Sequence, residues 1–106
     1  MGELILPPNP TLADFQKYVT DMVQIRGFND GIAQRFMMLL EESGEFAKAA
    51  RKHAGMKFAA DTKETDLQDE AADVFIVFMV LCGELGIDLE QAFRAKEERN
   101  KQRTWK

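Results

Sequence analysis

Two pairs of carboxylates in this sequence have spacing that could do chemistry. Glu42 and Glu45 stand three residues apart within Glu41-Glu42-Ser43-Gly44-Glu45, and Glu70 and Asp73 repeat that spacing. On a helix such residues are neighbours on one face. Two carboxylates so placed repel each other unless something positive lies between them. The first pair alone reads as a solvated acidic face. Asp73 alone reads as half of a salt bridge to a lysine or arginine. It carries more weight than the others, because it interrupts a run that is otherwise apolar from Ala71 to Cys82. An ionised carboxylate buried there must be paired, protonated or bound to metal. Two adjacent antiparallel helices, each with two such groups, could aim four oxygen ligands at one point. Hard oxygen donors suit Mg²⁺, with Mn²⁺ as a substitute, rather than zinc. The chain has one cysteine, Cys82, and one histidine, His53. That excludes a zinc cage, and it excludes a di-iron bundle, which needs Glu-x-x-His on two helices. His53 itself reads as a helix-end or loop residue.

The elements that must position these groups read as four helices, with no period-two strand signal. Residues 1–10 hold three prolines and read as an extended, flexible segment. The first helix spans Thr11 to Arg26, with Thr11 and Asp14 at capping spacing and an apolar stripe of Leu12, Phe15, Val19, Met22 and Val23. The second spans Gly31 to Lys52, with Asp30 as its N-cap, and Arg51, Lys52 and His53 meet the dipole at its end. A loop of about a dozen residues follows. The third spans Asp66 to Leu85, with Thr65 and Gln68 at capping-box spacing. Being apolar on nearly every side, it is expected to be the buried central helix. The fourth starts at Asp88, with Gln91 in capping-box position, and runs to about Arg103. Gly27, Gly55 and Gly86 are expected to stop the first three. On the fourth, Leu89, Phe93, Lys96, Asn100 and Arg103 share a face that begins apolar and turns polar. The plain reading of its second half is a solvated basic tail, and the functional one is an inward set of hydrogen-bond donors for an anion.

The bulk properties agree with a single soluble domain over residues 1–106. A lone cysteine fits the reducing cytoplasm, no signal peptide is evident at the start, and the longest apolar run is too short to span a bilayer. With 14 basic and 18 acidic residues the net charge is −4, which argues against a nucleic-acid partner. A divalent cation would reverse the local sign and admit an anionic small molecule. A chain this short buries a modest core, so a helical, largely apolar self-association is expected.

Glu-Glu-x-x-Glu followed by Glu-x-x-Asp resembles the signature of the all-α MazG-type nucleotide pyrophosphatases. Here it reads Leu40-Glu41-Glu42-Ser43-Gly44-Glu45-Phe46 and Asp69-Glu70-Ala71-Ala72-Asp73-Val74, within a resemblance that covers roughly Phe36 to Arg103. The resemblance implies a four-helix protomer assembled into a dimer or tetramer, with helices from more than one subunit around each site. It implies Mg²⁺-dependent hydrolysis of NTP or dNTP to the monophosphate and pyrophosphate, in the service of nucleotide-pool sanitation. Glu42, Glu45, Glu70 and Asp73 fall on the metal ligands. Glu41 falls on the extra acid that heads the motif and orients water or binds a further metal. Lys96, Asn100 and Arg103 match the region that meets the phosphates. Some relatives carry a basic residue where this chain has Met38. Phe15 and Gln16 are candidate base contacts, with core packing the stronger reading for Phe15. Trp105 is open to base stacking, subunit packing or a free tail. Two alternatives stand beside this reading: a phosphoribosyl-ATP pyrophosphatase, and a non-catalytic helical oligomerisation module with a structural cation site.

Overall fold

The computed structural model describes residues 4–60 and 66–105. Their regular structure is four α-helices: α1 Leu12–Ile25, α2 Ile32–His53, α3 Leu67–Glu84 and α4 Leu89–Lys101. No strand occurs among the described residues.

Local chemistry sets most of the boundaries. Thr11 caps α1 reciprocally: its hydroxyl accepts from the Asp14 N–H at 3.2 Å, and the Asp14 carboxylate accepts from the Thr11 N–H at 2.8 Å. Asp88 caps α4 by accepting from the Gln91 N–H. Gly86, at φ +71°, closes α3 with the Ile87 N–H donating to the Cys82 carbonyl at 2.9 Å. A side chain there would be strained in the left-handed region.

Two caps differ from expectation. Gly31, not Asp30, occupies the N-cap of α2, and no side chain satisfies that end. Asp66, not Thr65, caps α3 and accepts from the N–H groups of both Gln68 and Asp69. A carboxylate serves this end better than a hydroxyl, since it also meets the positive end of the helix dipole. Thr65 lies outside the described residues.

α3 is the central element and packs against both α2 and α1. The core gathers Val19 and Met22 of α1 with Met79 and Val80 of α3, and Leu4, Phe15, Tyr18, Ile76 and Leu89 pack around it. Leu4 thus ties part of the segment 1–10 to the core, while residues 1–3 lie outside the described residues. α4 packs chiefly against α1. The Gln16 carboxamide makes that joint, donating to the Ile87 carbonyl and accepting from the Leu89 N–H, both at 2.9 Å.

The expectation of a buried central helix holds for only part of the surface of α3. Phe75, Phe78 and Asp73 are exposed. So is Phe93 of α4, at 69%, where an inward position was expected, and α4 buries no residue at all. After Leu89 the helix is exposed as far as Arg99, and its hydrogen-bonded joint to α1 lies at its start, where Gln16 meets Ile87 and Leu89. The protomer is correspondingly open. Its radius of gyration is 16.9 Å, against about 13 Å for a compact domain of this length.

Candidate active site

The two carboxylate pairs lie on the two helices that pack most closely, α2 and α3. Glu42 of α2 meets Glu70 and Asp73 of α3, with one oxygen from each lying within 4.8 Å of the others. Glu70 sits in the first turn of α3 and is only 9% exposed, Glu42 is half-buried, and Asp73 faces solvent. The expectation of a buried Asp73 is therefore corrected within the protomer: it lies at the margin of the α2–α3 contact, where the cleft opens to solvent. Glu45 is half-buried one turn beyond Glu42 and outside that group of three. Glu41 is exposed.

Burial, then the negative charges of Asp73, Glu70, Glu41 and Glu45 in that order, push the Glu42 carboxyl above its ordinary range. Five acids with no intervening cation are in electrostatic conflict, and a divalent ion relieves it. The donor set fits such an ion: every group is a hard oxygen, and among the described residues no nitrogen or sulfur donor joins the group of three.

A cleft of about 410 Å³ opens beside the carboxylates. Glu42 and Asp73 line it, together with Met22, Val23, Met38, Ile76, Val77 and Val80, and with Arg26, Phe28, Asp30 and Arg35. It has the size and the mixed lining of a small-molecule site: mostly apolar walls with a few placed polar groups.

Arg35 was not legible as a site residue. It is 4% exposed, its Nε lies 3.1 Å from a Glu84 oxygen, and an Nη2–H donates to the Phe28 carbonyl at 3.4 Å. The Glu84 contact is an ion pair without hydrogen-bond alignment, so Nε is a buried donor with no acceptor. The residues three and four away from Arg35 are Gly31, Ile32, Met38 and Leu39, none of which can pair with a guanidinium, but an arginine without such a partner reads equally well as solvated, so the sequence did not single it out.

The other predicted residues are placed elsewhere. Lys96, Asn100 and Arg103 neither line the cleft nor join the carboxylates of their own chain. Lys96 and Arg103 are exposed, whereas the buried Oδ1 of Asn100 has no hydrogen-bond partner among the described residues. Trp105 folds back on the end of α4, its Nε1–H donating to the Asn100 carbonyl at 3.2 Å and its ring 5.0 Å from the Arg103 guanidinium. Phe15 stands edge-on to Phe75 at 6.1 Å, in a separate apolar hollow that none of the carboxylates lines. The Gln16 carboxamide is engaged by the α3–α4 turn.

Carboxylates from two helices, converging beside a cleft of nucleotide scale, agree with the comparisons to known proteins. The model of the phosphoribosyl-ATP pyrophosphohydrolase family, PRA-PH, matches residues 12–100. The chain belongs to this family. Its fold and motif place it in the MazG-like, all-α group of pyrophosphohydrolases. The crystal structure of iMazG from Vibrio DAT 722 superimposes with a TM-score of 0.63 at 26% identity, over 86% of this chain and 98% of that one. The YvdC protein of Bacillus subtilis (strain 168), described as uncharacterized, is 30% identical over 96 residues, covering 83% of this chain and 91% of its own. Membership makes this chain a nucleotide pyrophosphohydrolase in kind. No helix among the described residues is long and apolar enough to cross a membrane.

Proposed function

We propose that this PRA-PH family member is a Mg²⁺-dependent nucleoside triphosphate pyrophosphohydrolase. It cleaves NTP or dNTP between the α and β phosphates, giving the monophosphate and pyrophosphate. The observation that carries this is the convergence of Glu42, Glu70 and Asp73 at the border of the cleft. Phosphoryl transfer asks a protein mainly to position groups and to neutralise charge. Glu42, Glu70 and Asp73, with Glu45 one turn along α2, would hold the ion, and Glu41 would orient the attacking water or hold a further metal. Mg²⁺ supplies charge neutralisation of the phosphate oxygens.

In this reading the phosphate-binding residues come from another subunit. Lys96 and Asn100 stand on a helix that buries no residue, Arg103 lies just beyond its end, and the protomer exposes 8196 Å². A compact monomer of 12.1 kDa exposes about 6,000 Å². The excess is on the scale of a permanent homodimer interface. A dimer or tetramer that covers Phe36, Phe75, Phe78 and Phe93 would carry α4 to a partner's carboxylates.

The family model's description favours a second substrate, phosphoribosyl-ATP. Magnesium-dependent pyrophosphate release, measured across the common NTPs and dNTPs, damaged nucleotides and phosphoribosyl-ATP, separates the two. Turnover of the triphosphates is expected. Turnover of phosphoribosyl-ATP alone would move the assignment to the second reading. No release from any of them, with the protein folded and metal-loaded, would leave a helical module with a structural cation site.

A further inference from the structure

The cleft contains a group that metal binding and phosphate handling leave unused. Arg35 is almost wholly buried, yet it is one of the residues lining the cleft. Its guanidinium carries several N–H groups and no acceptor. Among the described residues it has one unaligned ion pair, to Glu84, and one long hydrogen bond, to the Phe28 carbonyl. Its Nε is a buried donor without an acceptor. A buried donor left so is costly unless something else satisfies it. Glu84 at the end of α3 and the Phe28 carbonyl after α1 hold the group from two sides, so its position is set before any ligand arrives.

The location matters as much as the chemistry. Arg35 and Glu42 are separated by two turns of α2, which keeps them on nearly the same face about 10 Å apart. A nucleotide with its phosphates at the carboxylates would therefore run its sugar and base along α2 toward Arg35. The apolar part of the wall, Met22, Val23, Met38, Ile76, Val77 and Val80, suits the face of a base but reads no edge, and the other polar groups at that end, Arg26 and Asp30, are exposed at the rim. Arg35 is the buried side chain of the cleft that can.

Resting on the pyrophosphohydrolase reading above, we infer that Arg35 selects the base, favouring those with a carbonyl where adenine and cytosine carry an amino group. A guanidinium donates to O6 and N7 of guanine or to O4 of uracil and thymine, whereas an amino group would set donor against donor. Guanine, hypoxanthine, uracil and thymine are the accepted class. Glu84 is a positioning residue that acts through Arg35.

Two measurements, made on wild type, Arg35→Gln and Glu84→Gln, test this. The first is the kcat/KM for pyrophosphate release from the NTP and dNTP series with ITP added. The second is equilibrium binding of α,β-imido analogues of the same nucleotides, which needs no turnover. In wild type the keto bases are expected to exceed adenine and cytosine by roughly tenfold or more in both, the scale of a lost base contact. Glutamine both donates and accepts, so Arg35→Gln is expected to bring that ratio near one. Glu84→Gln is expected to reduce it part-way. Circular dichroism establishes that the variants are folded. If Arg35→Gln does not fold, the wild-type base order and the Glu84→Gln ratio still decide. Analogue binding in keto-over-amino order without turnover would sustain the inference and end the pyrophosphohydrolase reading. Turnover with equal use of all bases, a preference for amino bases, or a folded Arg35→Gln that keeps the wild-type ratio would overturn the inference and leave that reading intact.

Discussion

The carboxylates of Glu42 on α2 and Asp73 on α3 meet across the helix pair, with Glu70 completing a group whose oxygens lie within 4.8 Å of one another. The like charges of Asp73 and Glu70 help burial to hold the Glu42 carboxyl above its ordinary range. A site assembled against its own repulsion makes metal removal the first prediction. Activity should vanish with EDTA and return with Mg²⁺ or Mn²⁺, because only hard oxygen donors are present. Pyrophosphate release in chelated buffer is the measurement, and full activity there would sink the metal assignment.

The same conflict predicts that losing a ligand abolishes function without unfolding the chain. Asp73→Ala and Glu42→Gln should each lose turnover, yet the metal-free proteins should be as stable as wild type or more so, by up to about 1 kcal/mol. Urea denaturation in EDTA checks this. For Glu42 the sign follows from its raised pKa. The folded state holds that proton more tightly than the unfolded chain, so the group's contribution to stability is fully present below its ordinary value of 4.5 and is lost as pH rises through the folded value. The advantage of Glu42→Gln should therefore be greatest near neutrality and fade on acidification. Collapse of Asp73→Ala without metal would make Asp73 a structural ion-pair partner.

Metal affinity should carry the same mark. A ligand must be deprotonated to bind, and the proton on Glu42 competes at higher pH than it would on an ordinary glutamate. Apparent Mg²⁺ affinity, followed by titration calorimetry as pH is lowered from neutrality, should begin to fall above the usual carboxylate range. Glu42→Gln should bind more weakly at neutral pH and lose that early part of the profile. A wild-type affinity that stays flat until the ordinary glutamate range would contradict it.

What could be read ahead of the structure divides along the range of the interactions. The Thr11–Asp14 and Asp88–Gln91 caps, the glycine stops and both carboxylate pairs lie within one helical turn, so spacing alone reveals them. Asp30 and Thr65 were one residue from the true caps, because neighbouring residues compete for a role that only the chain's path decides. Arg35 and Glu84 were invisible as a pair, since they meet only when α2 packs on α3. Phe93 shows the limit of periodicity. It establishes that Leu89 and Phe93 share a face, not that anything covers the face beyond its first turn.

That uncovered surface predicts self-association. Phe36, Phe75 and Phe93 are exposed in the single chain, and large apolar patches on small proteins mark contact surfaces. Light scattering should show a dimer or tetramer at micromolar concentration. Phe93→Glu should shift it toward monomer and lower turnover with it. A fully active monomer would refute both the assembly and the shared site.

The last prediction concerns α4. Lys96, Asn100 and Arg103 stand away from the carboxylates of their own chain, yet ammonium, amide and guanidinium groups are suited to phosphate oxygens. If a partner's α4 supplies them, they bind substrate without organising the metal ligands. Lys96→Ala and Arg103→Ala should each lower kcat/KM for triphosphates by roughly tenfold or more, the scale of a lost charge-assisted hydrogen bond, with Mg²⁺ affinity of the substrate-free protein little changed. Arg103 has a further effect to separate, since it stacks on Trp105. Arg103→Lys keeps charge but loses the planar fork, so it should recover only part of the loss. Mixing discriminates between sites within one chain and sites shared between chains. Asp73→Ala and a Lys96→Ala/Arg103→Ala double variant are each impaired alone. Combined and allowed to exchange subunits, they should regain activity, because some sites then draw intact carboxylates from one chain and an intact α4 from the other. No recovery despite demonstrated exchange would place both sets in one chain. Unchanged kinetics in both single variants would return the end of α4 to a solvated basic tail.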